Sequence, residues 1–171
     1  MAVLTKGEIL KLIDQKIISI SPFDKDQVGP ASIDFHLGNQ FRVFKDIKKP
    51  FLVTNPHKDY QKLTKVVTKQ DNITILPNES IHGITKETLE LPNNLCGWIQ
   101  GRSSLARIGL MVHITANFIH PGQKAKQVLE MTNAGPIPLI IPVGIPICQI
   151  ILEETKGEAS YQGKFFQQDT P

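Results

Sequence analysis

Apolar residues in this chain fall into short runs with turn residues between them, and one helical period stands at the start. Thr5-Lys6-Gly7-Glu8 has the form of a capping box, and Ile9, Leu10, Leu12 and Ile13 follow it, which predicts a helix over roughly 5–15. After it the pattern shortens to alternating or β-branched runs at 17–20, 32–37, 41–44, 72–76, 80–85 and 88–91. Further runs lie at 95–100, 109–115, 127–132, 137–141 and 147–152. Val-Gly-Pro, Leu-Gly-Asn, Leu-Pro-Asn, His-Pro-Gly, Asn-Ala-Gly-Pro and Pro-Val-Gly punctuate them, as turns between strands do. Many short strands at this spacing predict a mainly β sandwich or closed barrel of jelly-roll type. The stretch 46–69 is rich in Lys, Pro and His, has weak periodicity and reads as a long loop or irregular insertion. Beyond 157 the apolar pattern fades into an arm.

A length of 171 residues suits a single domain spanning 1–171 with a real core. Hydrophobic residues at 40% and charged residues at 20% argue against disorder. A net charge of +3 suits a phosphate-bearing small ligand but not a nucleic acid, which would ask for a basic stripe. The lysines at 45–49 and 62–69 read as solvated faces. No apolar run reaches the ~18–20 residues of a membrane span, and the N-terminus lacks a signal-peptide layout. Cys96 and Cys148 lie in separate apolar segments and read as reduced, buried thiols. The zinc-deaminase ligand pattern is missing. A cytoplasmic protein without a protein-ligated metal is expected.

The stretch 101–133 carries the chemistry. Gly101-Arg102-Ser103-Ser104-Leu105-Ala106-Arg107 sets a guanidinium and two hydroxyls side by side, a group that can cradle an anion or form a plain turn. Glu130 lies between Leu129 and Met131. Alternation alone would point it outward; an inward carboxylate stripped of water would instead exchange protons near neutrality. His36 and His82 read as structural, His57 as solvated and His113 as a hydrogen-bonded core residue. Asp34 is expected to satisfy backbone or arginine donors.

Gly-Arg-Ser-Ser-Leu-Ala-Arg-Ile-Gly-Leu at 101–110, Thr-Ala-x-Phe-Ile-x-Pro-Gly at 115–122 and Val-Leu-Glu-x-x-Asn at 128–133 resemble the core signature of the dCTP deaminase family. Its sister enzymes are the trimeric dUTPases. Gly29-Pro-Ala-Ser-Ile-Asp-Phe-His-Leu-Gly38, Pro142-Val-Gly-Ile-Pro-Ile-Cys-Gln-Ile and Gly163-Lys-Phe-Phe-Gln-Gln168 resemble flanking blocks in the same order. The resemblance implies a dUTPase-like distorted jelly-roll β-barrel with a short N-terminal helix. It implies a homotrimer with sites between subunits, and the hydrolysis of dCTP to dUTP and ammonia. Glu130 would be general base and then acid, Ser103 would hold the water or the C4 substituent, and Arg107 would orient the carboxylate. Arg102 and Ser104 would hold the triphosphate, with Lys164 and Gln168 of the arm at 157–171 closing over it. The backbone at Thr115 and Ala116 would read the base edge, beside Phe118 and His120. Mg²⁺ would ride on the substrate triphosphate.

The chain also departs from that pattern. His120 stands where the family has aspartate before Pro-Gly, Ala125 where it has glycine, and Phe165 where it has tyrosine. A histidine supplies no permanent negative charge at neutral pH, which weakens a dUTP diphosphatase reading, alone or coupled to deamination. An Ala125 turn needing positive φ would be strained. A nucleotide-binding paralogue without activity is the third reading.

Overall fold

Period-two alternation builds the centre of the molecule. The computed structural model describes residues 2–54, 56–163 and 166–171. In chain order the elements are α1 (Lys6–Asp14), β1 (Ser19–Ser21), a 3₁₀ turn (Lys25–Gln27), β2 (Ile33–His36) and β3 (Gln40–Phe44). Then come α2 (Pro56–Leu63), β4 (Thr64–Thr68), β5 (Asn72–Ile75), β6 (Ser80–Glu90), β7 (Leu95–Gly101) and α3 (Ser103–Ala106). The last are β8 (Leu110–Met111), β9 (Phe118–Ile119), β10 (Lys124–Asn133), β11 (Leu139–Pro142) and β12 (Pro146–Glu154).

The described strands form three antiparallel sheets rather than one closed ladder. The largest runs β4-β3-β6-β10-β8, with β1 pairing β6 as well; the second runs β2-β12-β7-β9, and β11 pairs β5. The fold is mainly β and of jelly-roll character, as the sequence predicts. Leu129 and Met131 of β10 and Ile81 and Leu89 of β6 are fully buried in the shared core, each contributing roughly 1.5–3 kcal/mol. The alternate residues of β10, Val128, Glu130 and Thr132, face the other way.

Several expectations needed correction. The predicted runs 80–85 and 88–91 are one strand, and the break between them is a bulge. The β10 register shifts between Lys126 and Val128, and three β6 residues, Thr85–Glu87, stand opposite Gln127 alone. The Thr85 hydroxyl fills the gap, accepting from the Gln127 N–H at 2.9 Å and donating to the Glu87 carbonyl at 2.8 Å. The kink turns Glu87 into the core, where it is 1% exposed.

The stretch read as a loop at 46–69 holds α2 and β4. Asp59, buried on α2, accepts from the Thr54 N–H at 2.8 Å and pairs with Lys62 at 2.9 Å, local bonds that stabilise a helix with little apolar signal. The run 109–115 is a strand only at Leu110–Met111. Gly109 (φ +89°) passes so close to Gly135 that a Cβ would lie 2.6 Å from its nitrogen, and the chain turns there. Thr5 makes no side-chain cap on α1, and Glu8 pairs with Lys11 at 3.0 Å instead of closing a capping box. Ala125 lies in β10 opposite Leu89 and is 2% exposed. The positive φ belongs to Gly122 (+71°), so Ala125 carries no turn strain.

The chain beyond β12 is tied back by its backbone. Ala159 donates to the Asn93 carbonyl, Tyr161 to that of Pro121, and Lys126 to that of Gln168. The Arg42 Nε donates to the Pro171 carbonyl at 2.9 Å.

Candidate functional site

The residues of interest divide between two cavities on the one chain. The larger, about 420 Å³, lies over β10 and β6 and is walled by α2, β9 and the returning C-terminal stretch. Ala116, Phe118, His120, Glu130 and Gln168, all expected site residues, line it. So do Tyr60, His82, Gln127 and Tyr161, which sequence reasoning did not select.

Glu130 obeys the alternation of β10 and points away from Leu129 and Met131, yet covering elements bury it on that side too. Its Oε2 is buried and has no hydrogen-bond partner among the described residues. Burial pushes its carboxyl above the ordinary value of 4.5, while the backbone amides of Glu130 and Ile114 pull the other way. The side chain faces out from the core, as alternation predicts, and the elements that cover it withdraw it partly from water.

Aromatic rings wall one side. Trp98 tilts against Phe118 at 4.9 Å, Phe118 meets His120 edge-on at 4.9 Å, and His120 stacks parallel (6°) on Tyr161 at 4.9 Å. His120 is exposed on its other side. His113, expected to be hydrogen-bonded, has a buried Nδ1 without a partner among the described residues.

The second cavity, about 380 Å³, is lined by Ser32, Asp34, Arg102, Ser103, Ser104 and Gln149 with nearby glycines and Pro30. β12 sits between β2 and β7 and pairs Gln149 with Asp34 on one side and Cys148 with Gly101 on the other. Arg102, following Gly101, is thereby brought to Asp34, and the two form an ion pair. That meets the expectation of an arginine partner for Asp34. Gln149 braces the cleft, accepting from Ser32 Oγ at 3.1 Å and donating to the Gly101 carbonyl at 3.3 Å. The hydroxyls of Ser103 and Ser104 are exposed on α3, a single turn.

Arg107 and Thr115 are exposed and line neither cavity. Lys164 lies outside the described residues. Glu130 and the Arg102 loop are thus in separate cavities of one chain. Both cysteines are free and buried, and burial pushes the Cys148 thiol far up. Among the described residues no group of three or more His, Cys, Asp or Glu is placed to hold a metal ion. None of the described helices is long and apolar enough to cross a membrane.

Comparison with known proteins returns one consistent result. The family model described as dCTP deaminase-like matches residues 3–155. A dCTP deaminase of Marinomonas sp. (strain MWYL1) is 40% identical over 165 residues, covering 91% of this chain and 85% of that protein. A dUMP-forming dCTP deaminase of Methanobrevibacter smithii is 33% identical over 166 residues, covering 94% of this chain and 86% of that one. Among solved structures, the 2′-deoxycytidine 5′-triphosphate deaminase from Agrobacterium tumefaciens superposes with a TM-score of 0.71 at 20% identity. The match covers 90% of this chain, which spans about half (48%) of that one. A Staphylococcus bacteriophage 80alpha dUTPase follows at TM-score 0.53 and 11% identity, covering 86% of this chain and 96% of that one; both likenesses concern the fold.

Proposed function

The chain belongs to the dCTP deaminase-like family, and we propose from that premise that it converts dCTP and water to dUTP and ammonia. The observation that carries the reading is the state of Glu130. One carboxyl oxygen is buried without a partner, its proton affinity is raised by burial, and a cavity of nucleoside size opens in front of it.

A carboxyl whose proton affinity is raised by burial takes a proton from water more readily than a free one and can give it back. Glu130 takes one from the attacking water as its oxygen bonds to C4 of cytosine, and delivers that proton to N3. The same carboxyl then moves the hydroxyl proton of the tetrahedral intermediate to the amino group. The C4–N4 bond breaks, its electron pair leaves with ammonia, and C4 becomes a carbonyl. Acid–base help of this kind gives roughly 10²–10⁴-fold.

Ser103 holds the water and Arg107 orients the carboxylate. Arg102 and Ser104, with Lys164 and Gln168, hold the triphosphate, which arrives as its Mg²⁺ complex. The backbone at Thr115 and Ala116 reads the base edge, beside Phe118 and His120. Because the Arg102 loop faces a separate cleft from Glu130 on one chain, we assign it to the site of a neighbouring copy in a homotrimer. Residues 157–171 serve as the arm that closes each site of this cytoplasmic enzyme.

The test is incubation with Mg²⁺ and either dCTP or dUTP, following ammonia and pyrophosphate separately. Ammonia from dCTP without pyrophosphate is expected. Pyrophosphate from either nucleotide would add a diphosphatase, and silence in both channels from folded protein would leave a binding protein only.

A further inference from the structure

Glu130 does not face its cavity alone. Its cross-strand partner on β6 is His82, and the partner of His82 on β3 is Arg42. Directly opposed residues of antiparallel strands share a face, with Cβ atoms about 4.5–5.5 Å apart. Three ionisable side chains therefore stand in a row across the sheet, and His82 lines the same cavity as Glu130.

The imidazole is held from two sides. Phe44 meets it edge-on at 5.7 Å, and Tyr60 tilts against it at 6.1 Å. Arg42 is fixed in turn, over the Tyr60 ring at 5.3 Å and donating to Thr64 Oγ1 at 3.3 Å and to the Pro171 carbonyl. No hydrogen bond to a ring nitrogen of His82 is made among the described residues, and Glu130 Oε2 lacks one too. Two neighbours on one face thus each leave polar capacity unused. Of the two, Glu130 Oε2 is the buried vacancy, and a buried polar atom without a partner is costly unless it is filled.

We propose that His82 is the positioning residue of Glu130: its imidazole hydrogen-bonds the unpartnered Oε2 through one bridging water and holds the carboxyl proton between the two transfers of the deamination. This rests on the deaminase reading above. The proton that His82 accepts comes from Glu130 and returns to it, so the balance of dCTP and water against dUTP and ammonia is unchanged.

The electrostatics agree with the geometry. Burial, and then the Arg42 charge, lower the His82 pKa from 6.5, while burial raises that of Glu130 from 4.5. The two affinities move toward each other, which narrows the step the proton has to cross. The other titratable groups around the same cavity are Tyr60 of α2, Lys126 of β10, His120 after β9 and Tyr161 of the returning stretch.

Two arms test the proposal on the whole protein. In the kinetic arm, His82→Leu is expected to lower kcat about tenfold, leave KM for dCTP within about twofold and move the acid limb of the pH profile, with His82→Gln recovering part of the loss. Wild-type kcat and pH profile in both folded variants would overturn it. In the second arm, imidazole NMR follows the titration of His82 in wild type and in Glu130→Gln, with resonances assigned through the backbone. The midpoint is expected below 6.5 in the wild type and lower still in Glu130→Gln, which lacks the carboxylate that favours imidazolium. An unmoved midpoint would show the pair uncoupled. This arm needs no turnover and no His82 variant, so absence of ammonia release would sink the deaminase reading while the pairing is still decided.

Discussion

Glu87 in β6 is fully and Glu130 in β10 partly taken out of water, and the surroundings of the two carboxylates differ at every point. Glu87 is 1% exposed and saturated with donors: the His36 N–H at 2.8 Å, His36 Nδ1 at 2.6 Å and Gln27 Nε2 at 3.0 Å. It ties the 3₁₀ turn and β2 to the bulge of β6. Glu130 has a cavity in front of it, an unpartnered Oε2 and a raised proton affinity. Burial alone does not make a carboxylate reactive; burial with its hydrogen-bonding capacity left open does. The first carboxylate serves the fold, and the second is the one to which the proposed chemistry is assigned.

Exchanging each for its amide separates the two roles. Glu130→Gln is expected to cut ammonia release from dCTP by roughly 10²–10⁴-fold, with thermal unfolding no earlier than in the wild type. Glu87→Gln reverses that outcome. It sets an amide against three donors and costs about 3 kcal/mol, which at 2–4 °C per kcal/mol lowers Tm by roughly 6–12 °C. The activity of the molecules that remain folded is unchanged, as calorimetry and assay on the same preparation will show.

Arg102→Ala is a milder change, expected to raise KM for dCTP roughly tenfold. Because Arg102 and Asp34 are both about a third exposed, stability should shift by less than about 1 kcal/mol. The smallest effect is in pH dependence. Since burial raises the Glu130 pKa, ionising it opposes folding. That penalty is absent below 4.5, the value of the unfolded chain, and complete above the raised folded value. Unfolding curves across this window should show the wild type losing stability relative to Glu130→Gln as pH rises.

The sequence made the strands legible because alternation is local. β10 shows it in every second residue, and the resemblance drew attention to the blocks that hold Arg102, Ser103 and Glu130. What it missed is non-local. That His82 stands between Arg42 and Glu130 follows from the register of three strands, with the paired residues forty and forty-eight positions apart in sequence, and no spacing in the chain announces it. The helix α2 was invisible because local bonds of Asp59 hold it rather than an apolar stripe. The Thr5–Glu8 capping box had the right letters, but Lys11 captured Glu8. Ala125 looked like a strained turn because the turn lies three residues earlier, at Gly122.

The most direct measurement is to run the reaction on dCTP in ¹⁸O-water and locate the label by mass spectrometry. The account predicts a single ¹⁸O in the uracil ring of dUTP, at the position vacated by ammonia, and none in the phosphates, with label accumulating in Glu130→Gln at least about 100-fold more slowly. Label in a phosphate, or ring label undiminished in Glu130→Gln, would contradict it.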